Sequence, residues 1–194
     1  MNTESLRRMH IGWSGSRVGG RFATGTVAAA GFAVLTAVAA HTAIPLAGTA
    51  VPFTFQVAAV LLAGILLGPR LGAASQVMYV MAGVAGLPAF AAGGGPAYLL
   101  GPTGGYLLAF PVAAALAGAV AGRGSWRWSA AGAVLGLAVI YAGGVGWLSV
   151  TLGMEAAFRL GALPFLPGDV LKLALVVLLS WRLRSPVRRA LSGR

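Results

Sequence analysis

Two ionisable residues three positions apart, Asp169 and Lys172, stand in an otherwise apolar run near the end of the 194-residue chain, Phe165-Leu166-Pro167-Gly168-Asp169-Val170-Leu171-Lys172. In a membrane helix each such charge costs several kcal/mol, on a scale disputed between about 3 and above 10, so the pair needs a partner or a purpose. At i and i+3 both side chains fall on one helix face and can neutralise each other. Two uses are open. The pair can offer a carboxylate and an ammonium to a solute, or Asp169 can be a first-turn acid stabilised by the helix dipole, with Lys172 as its structural counter-ion. We favour the first. A third use, Asp169 as a general acid or base, has little support: there is no H-E-x-x-H, no G-x-S-x-G and no G-x-x-x-x-G-K-[ST] phosphate loop. With three acids, two histidines and no cysteine, a metal site would be short of ligands. His10 lies in a basic N-terminal stretch, and His41, at the end of an apolar run, is expected at the membrane interface. Neither enzyme chemistry nor a metal or cofactor is expected.

The elements that position this pair must be membrane helices. Apolar residues make up 58 % of the chain and charged residues 9 %, with a mean hydropathy of +0.87, which leaves too little polar surface for a water-soluble globule. Disorder and a disulfide scaffold are excluded by low charge density and the absence of cysteine, and the 30 glycines follow no period of three. A bilayer core of about 30 Å takes about 20 helical residues per crossing. Six segments qualify, some of them short: Phe22 to Ala43, Phe55 to Gly68, Leu71 to Gly86, Pro102 to Gly122, Trp128 to Val150, and Pro167 to Trp181, extending back to Leu163 at most. The expected class is all-α, a polytopic membrane protein with six transmembrane helices. Residues 22–184 form the membrane domain between basic tails, 1–21 and 185–194.

Net charge is +11, but its placement argues for topology rather than nucleic acid. Twelve of the fourteen basic residues fall in the N-terminal stretch (Arg7, Arg8, Arg17, Arg21), the second-to-third turn (Arg70), the fourth-to-fifth turn (Arg123, Arg127) and the C-terminal stretch (Arg182, Arg184, Arg188, Arg189, Arg194). Six spans put all of these on one face, which the positive-inside bias makes cytoplasmic, so both termini are expected there. Attraction to anionic lipid headgroups accounts for some of the charge. No basic stretch is interleaved with aromatics as a nucleic-acid surface requires.

In this topology the sixth span descends from outside, and Lys172, five residues past Pro167, lies about 7 to 8 Å along the helix. Gln56 opens the second span on the same side, and Tyr98 belongs to the outer loop between the third and fourth. Phe53, Phe55, Tyr79, Phe90 and Phe165 are candidates to line an apolar pocket around them, suited to a small, mostly apolar solute with a few polar groups. Glycines spaced by four, Gly64, Gly68 and Gly72, Gly118 and Gly122, Gly132 and Gly136, read as close helix packing. Ala29, Ala33 and Ala37 form a similar stripe on the first span, open to either a neighbouring span or a separate subunit.

With Val51-Pro52-Phe53-Thr54-Phe55-Gln56, Leu61-Leu62-Ala63-Gly64, Leu67-Gly68-Pro69-Arg70-Leu71-Gly72, Gly86-Leu87-Pro88-Ala89-Phe90, Gly101-Pro102-Thr103-Gly104-Gly105-Tyr106-Leu107 and the Pro167-Gly168-Asp169-x-x-Lys172 element, the chain resembles the BioY family from about residue 27 to 180. These are the substrate-binding S components of energy-coupling-factor (ECF) biotin transporters. The resemblance implies a six-helix S component of a bacterial inner membrane that captures biotin at its extracellular side. Asp169 and Lys172 would contact the vitamin, with Gln56, Tyr98, Tyr79 and Phe53 as further substrate-binding candidates. A ureido N–H suits a carboxylate; Lys172 would take either the ureido carbonyl or the valerate carboxylate. The resemblance also implies partners, a transmembrane coupling subunit and two ATPase subunits, and makes Ala29, Ala33 and Ala37 the expected docking face. A loaded S component topples to release its substrate inward.

Overall fold

The computed structural model describes residues 15–192, with side chains from residue 22 onward. Arg7, Arg8, His10 and Arg194 lie outside the described residues, as do the side chains of Arg17 and Arg21. The order is α1 (Gly15–Ala40), α2 (Gln56–Leu67), α3 (Pro69–Val84), α4 (Pro96–Leu99), α5 (Gly104–Ala121), α6 (Trp126–Leu152), α7 (Met154–Gly161) and α8 (Leu166–Ser192). Among the described residues the class is all-α; two isolated antiparallel bridges, Ile44 with Phe53 and Phe90 with Gly93, tighten loops and make no sheet. The six long helices follow the six expected segments in order.

The hub is α2. Beyond Gln56 its sequence, Val-Ala-Ala-Val-Leu-Leu-Ala-Gly-Ile-Leu-Leu, has no polar face, and a helix apolar all round belongs in an interior. Every residue of α2 except Val57 is buried, and it packs against α1, α3, α5, α6 and α8. Its 12 residues rise only about 18 Å. By length and composition three helices suffice to cross a membrane, the 22–40 part of α1, α5 and α6, and the pair α7–α8, bent by 55° at its break, makes a fourth. Proximity of α2 to α5 depends on Gly64: a Cβ there would stand 2.1 Å from the Ala114 carbonyl oxygen. The turn into α3 depends on Gly68, whose φ of +85° disfavours other residues, followed by Pro69 in the first helical turn.

Two elements depart from the sequence expectation. The segment between the fifth and sixth spans holds α7, which places Glu155 in its first turn and Arg159 in its last, the arrangement that complements a helix dipole. And α8 runs past Trp181 to Ser192, through Pro186, so residues 185–192 of the expected tail are helical. Arg184 ties this extension to the bundle by donating from Nη2 to the Ala121 carbonyl at the end of α5, at 2.7 Å.

The core has two parts. An aromatic cluster with Tyr79, Phe90, Tyr106, Phe110 and Phe165 fills the end bearing the long loops. An aliphatic cluster with Leu61, Ile65, Ala117, Ala133 and Val176 fills the other. One polar knot interrupts the apolar packing of α1 on α3. Gln76 donates from Nε2 to Thr36 Oγ1 at 3.3 Å and Ser75 Oγ at 3.0 Å. All three residues are wholly buried, and the Gln76 carbonyl oxygen has no partner.

Candidate ligand-binding site

The Phe165 carbonyl accepts the Asp169 N–H at 2.9 Å, which fixes the first turn of α8 and aims Asp169 and Lys172 inward. Both are almost fully buried. Lys172 Nζ donates to Asp169 Oδ1 at 2.6 Å, and Tyr141 of α6 donates its hydroxyl to Oδ2 at 2.5 Å. The other side of the ammonium faces the Phe53 ring, 3.6 Å from its centroid, a cation–π contact that gains strength where water is excluded. Phe53 is held there by its paired backbone bonds with Ile44, at 2.8 and 2.9 Å.

A second polar group converges from α2. Gln56 donates from Nε2 to the Tyr79 hydroxyl at 2.5 Å, and its Oε1 accepts from Thr54 Oγ1 at 3.0 Å. Beyond it the aromatics form a wall. Phe110 stacks on Tyr79, Tyr79 meets Phe90 edge-on, and Phe90 stacks on Tyr98 with centroids 4.9 Å apart. Tyr106 closes another side and donates its hydroxyl to the Gly161 carbonyl at 2.7 Å.

These groups enclose a cavity with about 60 Å³ of free space, walled by Gln56, Tyr98, Tyr106, Tyr141, Asp169 and Lys172 among others. Of the residues expected from the sequence, Asp169, Lys172, Gln56 and Tyr98 line it, and so do Phe90 and Phe165 of the apolar set. Tyr79 and Phe53 stand behind the wall, the first against the Gln56 amide and the second against the Lys172 ammonium. Helices α5 and α6 also supply lining residues, including Leu107, Phe110 and Ile140, whereas α3 acts through Tyr79 from the second row. Tyr141 is the residue that sequence reasoning missed. Its signal was a tyrosine in the middle of a span, away from the interfaces where such residues gather.

The alanine stripe of α1 turns inward. Ala29 is buried, and Ala33 and Ala37, half-buried, pack against the aromatic cluster. The surface of Ala29 is taken up by the chain's own core. The open face of α1 carries Val27, Val34 and Val38 instead.

The sequence model of the BioY family matches residues 10–189. The chain belongs to the BioY family. A probable biotin transporter BioY of Pyrococcus horikoshii is 44 % identical over 154 residues, covering 79 % of this chain and 91 % of the relative. The biotin transporter BioY of Thermotoga maritima is 40 % identical over 156 residues, with the same two coverages. Among solved structures, the S-component for biotin from an ECF-type ABC transporter superposes with a TM-score of 0.74 at 27 % identity, covering 81 % of this chain and 88 % of that one. These BioY relatives are named as transporters, and the cavity described above is mostly apolar with few, convergent polar groups.

Proposed function

We propose that this chain is a membrane-embedded S component that captures biotin at the outer side and delivers it inward with an ATP-driven coupling module. The observation that carries the reading is the buried Asp169–Lys172 pair in the wall of an aromatic cavity, in a chain whose relatives are named biotin transporters. The chemistry of the vitamin fits that wall. Its ureido N–H groups donate to a carboxylate, its ureido carbonyl and valerate carboxylate accept from an ammonium, and its fused rings are apolar. Asp169, Lys172, Gln56 and Tyr98 make direct contact. Tyr79 orients the Gln56 amide, and Phe53 braces the ammonium. Free space of about 60 Å³ is too small for a bicyclic ligand, which enters by displacing part of the wall. Pro52, Thr54, Phe90 and Ala91 are among the lining residues outside the helices, and Tyr98 lies on the four-residue α4.

The six long helices act as six crossings of the bacterial inner membrane, with both termini cytoplasmic and residues 22–184 as the membrane domain between the basic tails 1–21 and 185–194. Support comes from the charge pattern, which this topology gathers on one face. The coupling subunit and two ATPase subunits are supported by the description of the structural neighbour as part of an ECF-type ABC transporter. Docking through α1 would use the partly exposed Ala33 and Ala37 and the open face beside them.

Titration calorimetry of the purified protein against a vitamin panel tests the reading. Biotin should bind tightly, thiamine and riboflavin should not, and biotin should cease to co-purify with Asp169→Asn. Tight thiamine binding with none of biotin would end it.

A further inference from the structure

Between α6 and α8, facing outward, runs an apolar groove floored by Ala130 and Val134 on one side and Ala174 and Leu178 on the other, with Trp126 and Trp181 at one end. It spans residues 126–134 of α6 and 173–181 of α8, about 12 Å along each helix. Beside the two tryptophans stand two guanidiniums, Arg127 with its Cζ 5.7 Å from the centroid of the Trp126 ring and Arg182 5.5 Å from that of Trp181. Neither has a carboxylate partner among the described residues, where the Lys172–Asp169 pair is the salt bridge formed. The described acids are remote: Glu155 lies on α7, beyond the far end of α6 from Arg127, and Asp169 in the first turn of α8, thirteen positions and about 20 Å along the helix before Arg182. Arg184, nearby on α8, already donates to the Ala121 carbonyl.

We propose that this groove holds one acyl chain of an anionic phospholipid whose phosphate is gripped by Arg127 and Arg182. An acyl chain matches a shallow channel floored by small and aliphatic side chains. Two planar guanidiniums, each able to donate paired N–H bonds, match phosphate oxygens in a way that a single ammonium does not. Tryptophans at that end mark the interfacial depth at which a headgroup lies, and basic pockets between helices at such depth are suited to anionic lipid. Charge complementarity selects the occupant: an apolar protein helix offers the two guanidiniums no anion, and the phosphate of a zwitterionic lipid is already offset by its own ammonium, whereas an anionic lipid brings a net negative charge to them.

Native mass spectrometry of the full chain, released from micelles containing equal amounts of dioleoylphosphatidylglycerol and dioleoylphosphatidylcholine, tests this. The protein should retain one phosphatidylglycerol in preference to phosphatidylcholine, by about fivefold or more for arginines at an anionic headgroup. Arg127→Gln with Arg182→Gln should bring the preference to about one. Ala174→Trp, which fills the exposed groove without touching the charges, should remove both lipids. Inorganic phosphate should not displace the adduct, and biotin titration of each variant reports that the fold is intact. Equal retention of the two lipids by the unmodified chain, a preference that survives the double substitution, displacement by inorganic phosphate, or a protein dimer in place of the lipid adduct would each overturn the proposal.

Discussion

At the scale of single residues, both oxygens of Asp169 are engaged, one by Lys172 and one by Tyr141, so structural and ligand-binding roles must be pulled apart by choice of substitution. Lys172→Met leaves a buried carboxylate without its counter-charge and should destabilise by about 3–5 kcal/mol, measured as a lowered thermal midpoint. Adding Asp169→Asn removes the stranded charge and should recover most of that loss, while biotin binding stays absent. If binding returned with stability, the pair would be a brace and nothing more. Tyr141→Phe keeps the ion pair and deletes one hydrogen bond to the carboxylate. Such bonds to charged groups are worth about 1.5–3 kcal/mol, so biotin affinity should fall by roughly tenfold or more in a calorimetric titration. Asp169 and Lys172 were legible in the sequence because charge is conspicuous in an apolar run. Tyr141 was not, since its partner lies 28 positions away and a tyrosine among alanines and glycines reads as packing until that partner is in place.

At the scale of elements, the order of the long helices was visible in the apolar runs, and the α2–α3 break in Gly68-Pro69. Less visible was that α2 would be a short, enclosed hub, because a stretch apolar on every side says that it is buried without saying by what. The short α7 went unpredicted for a related reason: eight residues with one acid and one base look like a loop until their apolar side finds α6. Close approach of α2 to α5 gives a direct test. Gly64→Ala places a methyl where only 2.1 Å separates it from the Ala114 carbonyl oxygen, and overpacking of this kind costs about 1–3 kcal/mol. The thermal midpoint should drop, whereas the same change at Gly31, which has open space around its α-carbon, should leave it unmoved.

For the molecule as a whole, sidedness is the property that the basic residues encode and that a pattern of contacts does not. The chain has no cysteine, so single reporters can be placed without background. In intact cells a membrane-impermeant maleimide should label Ala47→Cys, in the loop between α1 and α2, and spare Ser125→Cys and Ser192→Cys. Reversed labelling would invert the proposed topology. Internal rigidity, by contrast, is readable from the Gln76 knot. Its amide fastens α3 to Thr36 of α1 at a depth where no water can replace either partner, and stranding such a group costs about 1–2 kcal/mol. Sliding or rolling one of these helices over the other is penalised by about that amount, so a large excursion of the protein within the bilayer that carries both as one piece keeps the knot intact.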